Sequence, residues 1–255
     1  MNDSVKHTLS GQVAVIAGGT GGIGYAAARR LAECGAKVVL LTRSDTEKAA
    51  AMAAELPGSG HGALFAAIDD SATLRAAADA VQVRWGRADI LVNSAGMTKP
   101  VPHKDLDALD DALIDQLFIA NWRGPFATIR AFAPLLRASG NGLVVNVSSI
   151  AATTGIGSNV AYCAAKAGLD VMATSLGRAL APDIRVISVS PGVVDTTFVP
   201  GRDATFNEKQ AATTPLKRIG SPDDIAAAIE ACATTLKFVT GTTIQVDGGR
   251  HLGAA

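Results

Sequence analysis

Val13-Ala14-Val15-Ile16-Ala17-Gly18-Gly19-Thr20-Gly21-Gly22-Ile23-Gly24 is the stretch that decides the fold. Its first half is continuously apolar rather than alternating. Such a run is a strand covered on both faces, as in a parallel sheet. Its second half is a glycine-rich turn, and a helical pattern, Gly22 to Cys34, follows at once. Glycine lets the backbone turn tightly there and approach an anion, which then meets N–H groups and the positive end of a helix dipole. The turn fits three frames: Gly19-x-Gly21-x-x-Gly24, Gly18-x-x-Gly21-x-x-Gly24 and Gly18-x-x-x-Gly22-x-Gly24. A merely flexible turn is the bland alternative, but the place between strand and helix favours a nucleotide site.

Outward from this unit the pattern repeats. Further apolar runs are Lys37 to Leu41, Ala63 to Ile68, Asp89 to Val92, Leu143 to Val147, Arg185 to Val189 and Thr243 to Val246. Helical patterns lie between them at Thr46 to Leu56, Ala72 to Trp85, Leu109 to Leu136, Ala161 to Leu180 and Asp223 to Thr234. Strand–helix–strand repeats mean right-handed crossovers, so the expected fold is a doubly wound, Rossmann-like α/β sheet of about seven strands with helices on both faces. No linker or low-complexity stretch divides the chain, so one domain over residues 1–255 is expected. Two parts stand apart from the pattern. The polar start lacks a signal peptide's apolar stretch and is expected to be a frayed leader, 1–9. Asp195 to Thr214 has no clear periodicity and is expected to be a loop that serves the substrate.

Composition narrows the function. The chain has 255 residues, 48% hydrophobic and 18% charged, which excludes wholesale disorder. Lys+Arg and Asp+Glu are both 23, so no basic excess points to nucleic acid or an anionic membrane. Cys34, Cys163 and Cys232 have no CxxC spacing and read as reduced thiols of a cytoplasmic protein. His7, His61, His103 and His251 lack ligand spacing, so no metal is expected. No apolar run reaches the roughly 18 to 20 residues of a membrane helix.

The second strand ends at Thr42-Arg43-Ser44. Sheets that bind NAD(H) carry an acidic residue here for the ribose hydroxyls. With Thr42 in that place and Arg43 beside it, a 2′-phosphate is accepted rather than repelled, which favours NADP(H) over NAD(H). Asp45, two residues on, weighs slightly against it. Tyr162 and Lys166 are four apart in a helical stretch and share a face. An ammonium near a phenol favours the phenolate, so Tyr162 could donate or accept a proton near neutral pH. A surface pair is the bland reading of that spacing. Against it stand three other strand ends with polar or glycine-rich sequence: Asn93-Ser94-Ala95-Gly96, Ser148-Ser149 and Pro191-Gly192. All would lie on the carboxyl edge of the sheet, where such folds bind ligands.

On these residues the chain resembles the short-chain dehydrogenase/reductase family, in its branch of roughly 250-residue members, from about Leu9 to Gly249. Tyr162-x-x-x-Lys166 matches the family signature. Ser149, thirteen residues before Tyr162, matches the catalytic serine in preference to Ser148. Asn121 matches the catalytic asparagine. The resemblance selects the frame Gly18-x-x-x-Gly22-x-Gly24 and implies a cofactor site that includes Thr20, Gly21 and Ile23. It implies adenine contacts by Asp69, with Asp70 beside it, and cofactor contacts by Asn93, Ala95 and Gly96, although Ser94 replaces the family's second Asn. Pro191, Gly192, Val194 and Thr196 resemble the segment that clasps the nicotinamide. Ala17 stands where most relatives have Thr.

The implied chemistry is hydride transfer between a nicotinamide and a carbonyl or secondary alcohol. Tyr162 is the implied acid/base, Ser149 the oxyanion donor, Lys166 the residue that tunes Tyr162 and grips the ribose, and Asn121 the holder of a water. The family also implies a homotetramer, or a homodimer, paired through the long helices. The expected substrate is a 3-oxoacyl thioester; sugars, polyols, steroids and small ketones are the alternatives. Lys99, His103 and Lys104, with Arg202 and Lys209, could suit an acidic carrier protein. A non-catalytic nucleotide sensor would lack Tyr162 or Lys166, and a sugar-nucleotide epimerase is typically longer.

Overall fold

The computed structural model describes residues 8–200 and 203–253. Seven strands form one sheet: β1 (Val13–Ala17), β2 (Lys37–Thr42), β3 (Gly62–Phe65), β4 (Ile90–Asn93), β5 (Gly142–Val147), β6 (Ile184–Pro191) and β7 (Thr243–Val246). Their order is β3-β2-β1-β4-β5-β6-β7, and every pairing is parallel. The helices are α1 (Gly22–Glu33), α2 (Thr46–Ala54), α3 (Ser71–Trp85), α4 (Asp111–Phe118), α5 (Gly124–Ala138), α6 (Ala151–Thr154), α7 (Val160–Ala179), α8 (Ala204–Thr213) and α9 (Pro222–Thr234).

The apolar runs are continuous because each strand feeds two cores. Successive side chains point to opposite faces. In β1, Ala14 and Ile16 join Ala27, Ala28 and Leu31 of α1 and Ile225 and Ile229 of α9. Val13, Val15 and Ala17 join Leu74 and Val81 of α3, Phe132 and Leu136 of α5, and Leu169 of α7. A fully buried Leu, Ile or Phe contributes about 1.5–3 kcal/mol, so these two layers hold the sheet. Asp89 anchors its start: the carboxylate accepts from the Val13 N–H at 2.8 Å and from Arg87 Nε at 2.9 Å.

Three expectations change. Leu9 is fully buried and its N–H donates to the Cys34 carbonyl at 2.9 Å, so the expected leader runs too far; residues 1–7 lie outside the described residues. The helix expected over Leu109 to Leu136 is two helices, α4 and α5, joined by a π-helical turn, Ile119–Arg123. Asp110 caps α4 by accepting from the Leu113 N–H at 2.8 Å, which sets its start. The segment 195–214 is not all loop, since it contains α8, capped by Asp203 accepting from the Phe206 N–H at 2.8 Å. Cys34, Cys163 and Cys232 are free and buried. Among the described residues no helix is long and apolar enough to cross a membrane.

β1 lies between β2 and β4, and from there the chain winds in opposite directions. Such a switch point opens a crevice beyond the carboxyl ends of the strands.

Candidate active site at the carboxyl edge of the sheet

The glycine turn closes on itself. Gly18 has φ +76°, and a Cβ there would lie 2.7 Å from the Ala95 nitrogen. A Cβ on Gly24 would lie 2.2 Å from the Gly18 carbonyl oxygen. Both positions therefore exclude a side chain, and the turn packs on the Asn93–Gly96 segment. Gly21 is the N-cap of α1, and no side chain caps that helix. An uncapped helix start favours an anion. Gly22 faces Thr196: a Cβ there would lie 3.1 Å from its Cγ2. The Pro191–Thr196 segment thus reaches over the glycine turn, as a clasp around a bound dinucleotide would. Thr20 lies half-buried within the turn.

At the end of β2, Thr42 is buried while Arg43 and Ser44 are exposed. Thr42 Oγ1 accepts from the Ser44 N–H at 3.4 Å. The Asp45 carboxylate accepts from the Lys48 N–H at 2.8 Å, capping α2. At the end of β3, Asp69 is exposed, and its carbonyl accepts from Arg123 at 3.0 Å. Two expected cofactor residues are engaged otherwise. Asp70 caps α3, accepting from the Ala72 N–H at 2.8 Å. Asn93 is buried and donates to Asn146 Oδ1 at 2.9 Å, tying β4 to β5.

The reactive residues meet where β5 passes into α7. Asn159 caps α7 by accepting from the Tyr162 N–H at 2.7 Å, which sets Tyr162 in the first turn. Lys166 follows one turn later on the same face, its Nζ 5.7 Å from the Tyr162 ring centroid. That Nζ donates to the Val147 carbonyl at 2.8 Å. Lys166 is only 5% exposed. Burial pulls its pKa down to about 8, and Asp170 opposes the fall. Burial in turn pushes the Asp170 carboxyl up, opposed by the neighbouring Ser148, Ser188 and Thr243 hydroxyls and by the Lys166 charge. The two serines divide. Ser148 is buried and its hydroxyl donates toward the Lys166 carbonyl at 3.5 Å. Ser149 is half-buried on the cavity wall, with Oγ accepting from the Ala151 N–H at 3.2 Å.

Asn121 stands in the π-helical turn and is fully buried. Its Nδ2 donates to the Met97 and Leu117 carbonyls, both at 2.9 Å, and its Oδ1 has no partner. A Cβ on Gly96 would lie 2.7 Å from that oxygen, so glycine makes the space it occupies. An orphaned buried acceptor suits an ordered water.

A cavity of about 1120 Å³ joins these parts. Gly21, Gly22, Ile23, Gly96, Ser149, Tyr162, Lys166, Pro191, Gly192, Val194 and Thr196 all line it. The residues expected on the adenosine side lie outside it: Arg43, Ser44 and Asp69 are exposed beyond β2 and β3, and Thr42 is buried at the end of β2. The opposite wall takes Phe198, Phe206 and Gln210 from the segment expected to serve the substrate, and adds Val101, Pro102, Ile156 and Arg250, which the sequence reading missed. Phe198 lies beside the Tyr162 ring, centroids 6.3 Å apart. No local signal marks these residues, because distant segments build the wall together. Of the basic residues read as suiting a carrier protein, His103 lies on the wall, and Arg202 lies outside the described residues. The cradle at Gly18 and Gly24, the uncapped α1 and the orphaned Asn121 oxygen together fit a dinucleotide with its reactive end at Tyr162.

Known proteins agree with this geometry. A family profile described as enoyl-(acyl carrier protein) reductase matches residues 17–251. A Streptomyces violaceoruber protein provisionally named ketoacyl reductase 2 of the granaticin polyketide synthase is 36% identical over 242 residues, covering 94% of this chain and 96% of its own. The D-threitol dehydrogenase of Mycolicibacterium smegmatis is 34% identical over 250 residues, covering 94% and 93%. The crystal structure of a Brucella melitensis short-chain dehydrogenase/reductase titled glucose/ribitol dehydrogenase superposes with a TM-score of 0.88 at 33% identity, covering 96% and 98%. With that profile, those relatives and this sheet, the chain belongs to the short-chain dehydrogenase/reductase family, oxidoreductases that act on alcohol and carbonyl groups with NAD(P)(H).

Proposed function

We propose that the chain is an NADP(H)-dependent reductase whose substrate is a 3-oxoacyl thioester. One observation carries the catalytic part: a buried ammonium, Lys166, beside the Tyr162 ring in a cavity that Ser149 also lines. Bound at this edge, the nicotinamide supplies the hydride that adds to the carbonyl carbon. The Tyr162 phenol gives its proton to the carbonyl oxygen as negative charge builds there, leaving a phenolate that the Lys166 charge stabilises. The Ser149 hydroxyl donates a hydrogen bond to the same oxygen. Carbonyl, hydride and proton sum to the alcohol. The Asn121 oxygen accepts from a water that relays the replacement proton toward Lys166. In Tyr162→Phe, turnover should vanish while NADPH still binds in a fluorescence titration; substantial residual turnover removes Tyr162 from the acid/base role.

The preference for NADP(H) rests on charge. Arg43 is exposed at the end of β2, and the nearest acid, Asp45, is spent on the α2 cap. A 2′-phosphate therefore meets the Arg43 guanidinium, while the Asp45 carboxylate is turned to the start of α2. Arg43→Ala should weaken NADPH by about tenfold or more with little effect on NADH. A wild-type protein that binds NADH as tightly as NADPH overturns this part.

The substrate class rests on the wall. Val101, Pro102, Ile156 and Val199 give the cavity an apolar side, which suits an acyl chain and offers a polyol few hydrogen bonds. The family description and the ketoacyl reductase name of one relative point the same way, while two other names point to sugar alcohols. NADPH oxidation with acetoacetyl thioesters, keto sugars and simple ketones decides between them. The one sheet supports a single domain over the chain. Exposed Trp122, in the turn before α5, and Val160 and Val171 on α7 support pairing of this face with a second copy in a homotetramer, which light scattering tests. The free buried thiols suit the cytoplasm.

A further inference from the structure

Arg250 opens the short 3-10 turn Arg250–Leu252 after β7, and its side chain reaches the cavity that holds Tyr162 and Lys166. The guanidinium is half-buried and wrapped by neutral acceptors. Its Nη1 donates to the Gln210 carbonyl at 3.1 Å, Thr213 Oγ1 at 3.1 Å and Thr214 Oγ1 at 3.2 Å, and its Nη2 donates to Gln210 Oε1. These contacts also cap the carboxyl end of α8, which explains where the side chain stands. They do not explain its charge. A helix end carries about half a unit of negative charge, so a net positive charge remains.

Among the described residues no carboxylate pairs with it. Asp247, three residues earlier, accepts from the Gly249 N–H, the His251 N–H and the His251 ring at 2.9, 2.7 and 2.7 Å. The described residues that line the cavity include Lys166 and Arg250 but no Asp and no Glu. Under the proposed mechanism Lys166 serves Tyr162 and the cofactor. That leaves Arg250 as a half-buried cation with no paired carboxylate among the described residues, facing the space where substrate must enter. Such a group is stabilised by an anion with fork geometry, a carboxylate or a phosphate.

We propose that Arg250 receives an anionic group on the carbonyl substrate, so that charged substrates are preferred to neutral counterparts that carry the same oxoacyl group. The proposal rests on the reductase reading for the identity of the cavity's occupant. The anion could be a carboxylate on the oxo compound itself or a phosphate on the carrier arm of a thioester. Two probe pairs separate these sources: acetoacetate against methyl acetoacetate, and acetoacetyl-CoA against acetoacetyl-N-acetylcysteamine.

Binding is measured by calorimetry on full-length protein saturated with NADP+, which cannot reduce the probes. The wild type should bind the charged member of one pair about ten- to hundredfold more tightly than the neutral member. Preference within the first pair assigns a carboxylate; preference within the second assigns a carrier phosphate. Arg250→Gln should abolish the preference, and Arg250→Lys should retain part of it. A purely structural Arg250 would make Arg250→Gln weaken all four probes alike, and that result overturns the proposal. So does a wild type that shows no preference in either pair, binds none of the four, or keeps its preference in Arg250→Gln. Turnover with NADPH keeps the two readings apart. Tyr162→Phe should retain the charge preference while losing turnover. Retained turnover would remove only Tyr162 from its role, whereas a wild type that keeps the charge preference but oxidises NADPH with none of the four probes would sink the reductase reading and leave the anion subsite standing.

Discussion

The buried Lys166 makes the stability of the cofactor-free protein depend on pH in an unusual direction. Its pKa is held down to about 8, against 10.5 for an exposed lysine. Between those values the unfolded chain binds a proton that the folded chain does not, so stability rises with pH through the window. Below about 8 both states are charged and the full burial penalty is present; above 10.5 both are neutral and it is gone. A gap of about 2.5 pH units, at about 1.36 kcal/mol per unit, makes the penalty about 3 kcal/mol. Lys166→Met removes the titrating group and keeps much of its length. Urea unfolding of both proteins gives the difference in stability, wild type minus variant. That difference should climb by about 2 kcal/mol between about pH 7.5 and about pH 9.5. A flat difference, or one that falls with pH, would refute the account of a charge held in a dry site.

Two further outcomes test the framework of the site. Gly24→Ala puts a Cβ 2.2 Å from the Gly18 carbonyl, a backbone atom that cannot swing away. It should cost about 1–3 kcal/mol in thermal unfolding and abolish tight NADPH binding; an unchanged NADPH Kd contradicts the close-packed turn. Asp89→Ala leaves the Val13 N–H without its acceptor and frees Arg87, and should cost about 2–4 kcal/mol in urea unfolding. Asp89→Asn, which keeps an acceptor for Val13, should cost less.

The strands were legible because burial on both faces leaves a continuous apolar run, and all seven expected runs are strands. Ends were less so. β3 stops at Phe65 rather than Ile68, where the Ala66 N–H makes a last bond to the Thr42 carbonyl and the chain turns away. The π-helical turn at Asn121 left no mark in the apolar spacing, since the chain stays helical through it. Pro125 at the start of α5 was the available sign of a break. α8 was unreadable because its apolar side chains do not repeat at helical spacing. Its supports are Asp203 at one end and Arg250, forty residues beyond Gln210, at the other. Asp70 shows the limit of matching residue types: the acid beside the expected adenine contact also caps α3, a role the resemblance does not signal.

The legible and illegible parts of the site differ for a topological reason. An all-parallel sheet brings every strand's carboxyl end to one edge. A residue just after a strand is therefore placed by the strand itself, and its neighbours in space are the residues just after the other strands. Gly18, Asn93, Ser149 and Pro191 need no long-range knowledge to be assembled, and Lys166 joins them because α7 starts close to the end of β5. The substrate wall obeys no such rule. Phe198, Phe206 and Gln210 sit far along an excursion from β6, and Arg250 returns to meet them only after β7. Chemistry common to the family thus lies at positions that sheet order dictates. The proposed function leaves substrate choice to the segment between β6 and α9, and to the chain after β7 that holds it. If that division is right, exchanging residues 195–214 together with 250–253 for those of a relative should carry over substrate preference and leave the Tyr162–Lys166 chemistry in place.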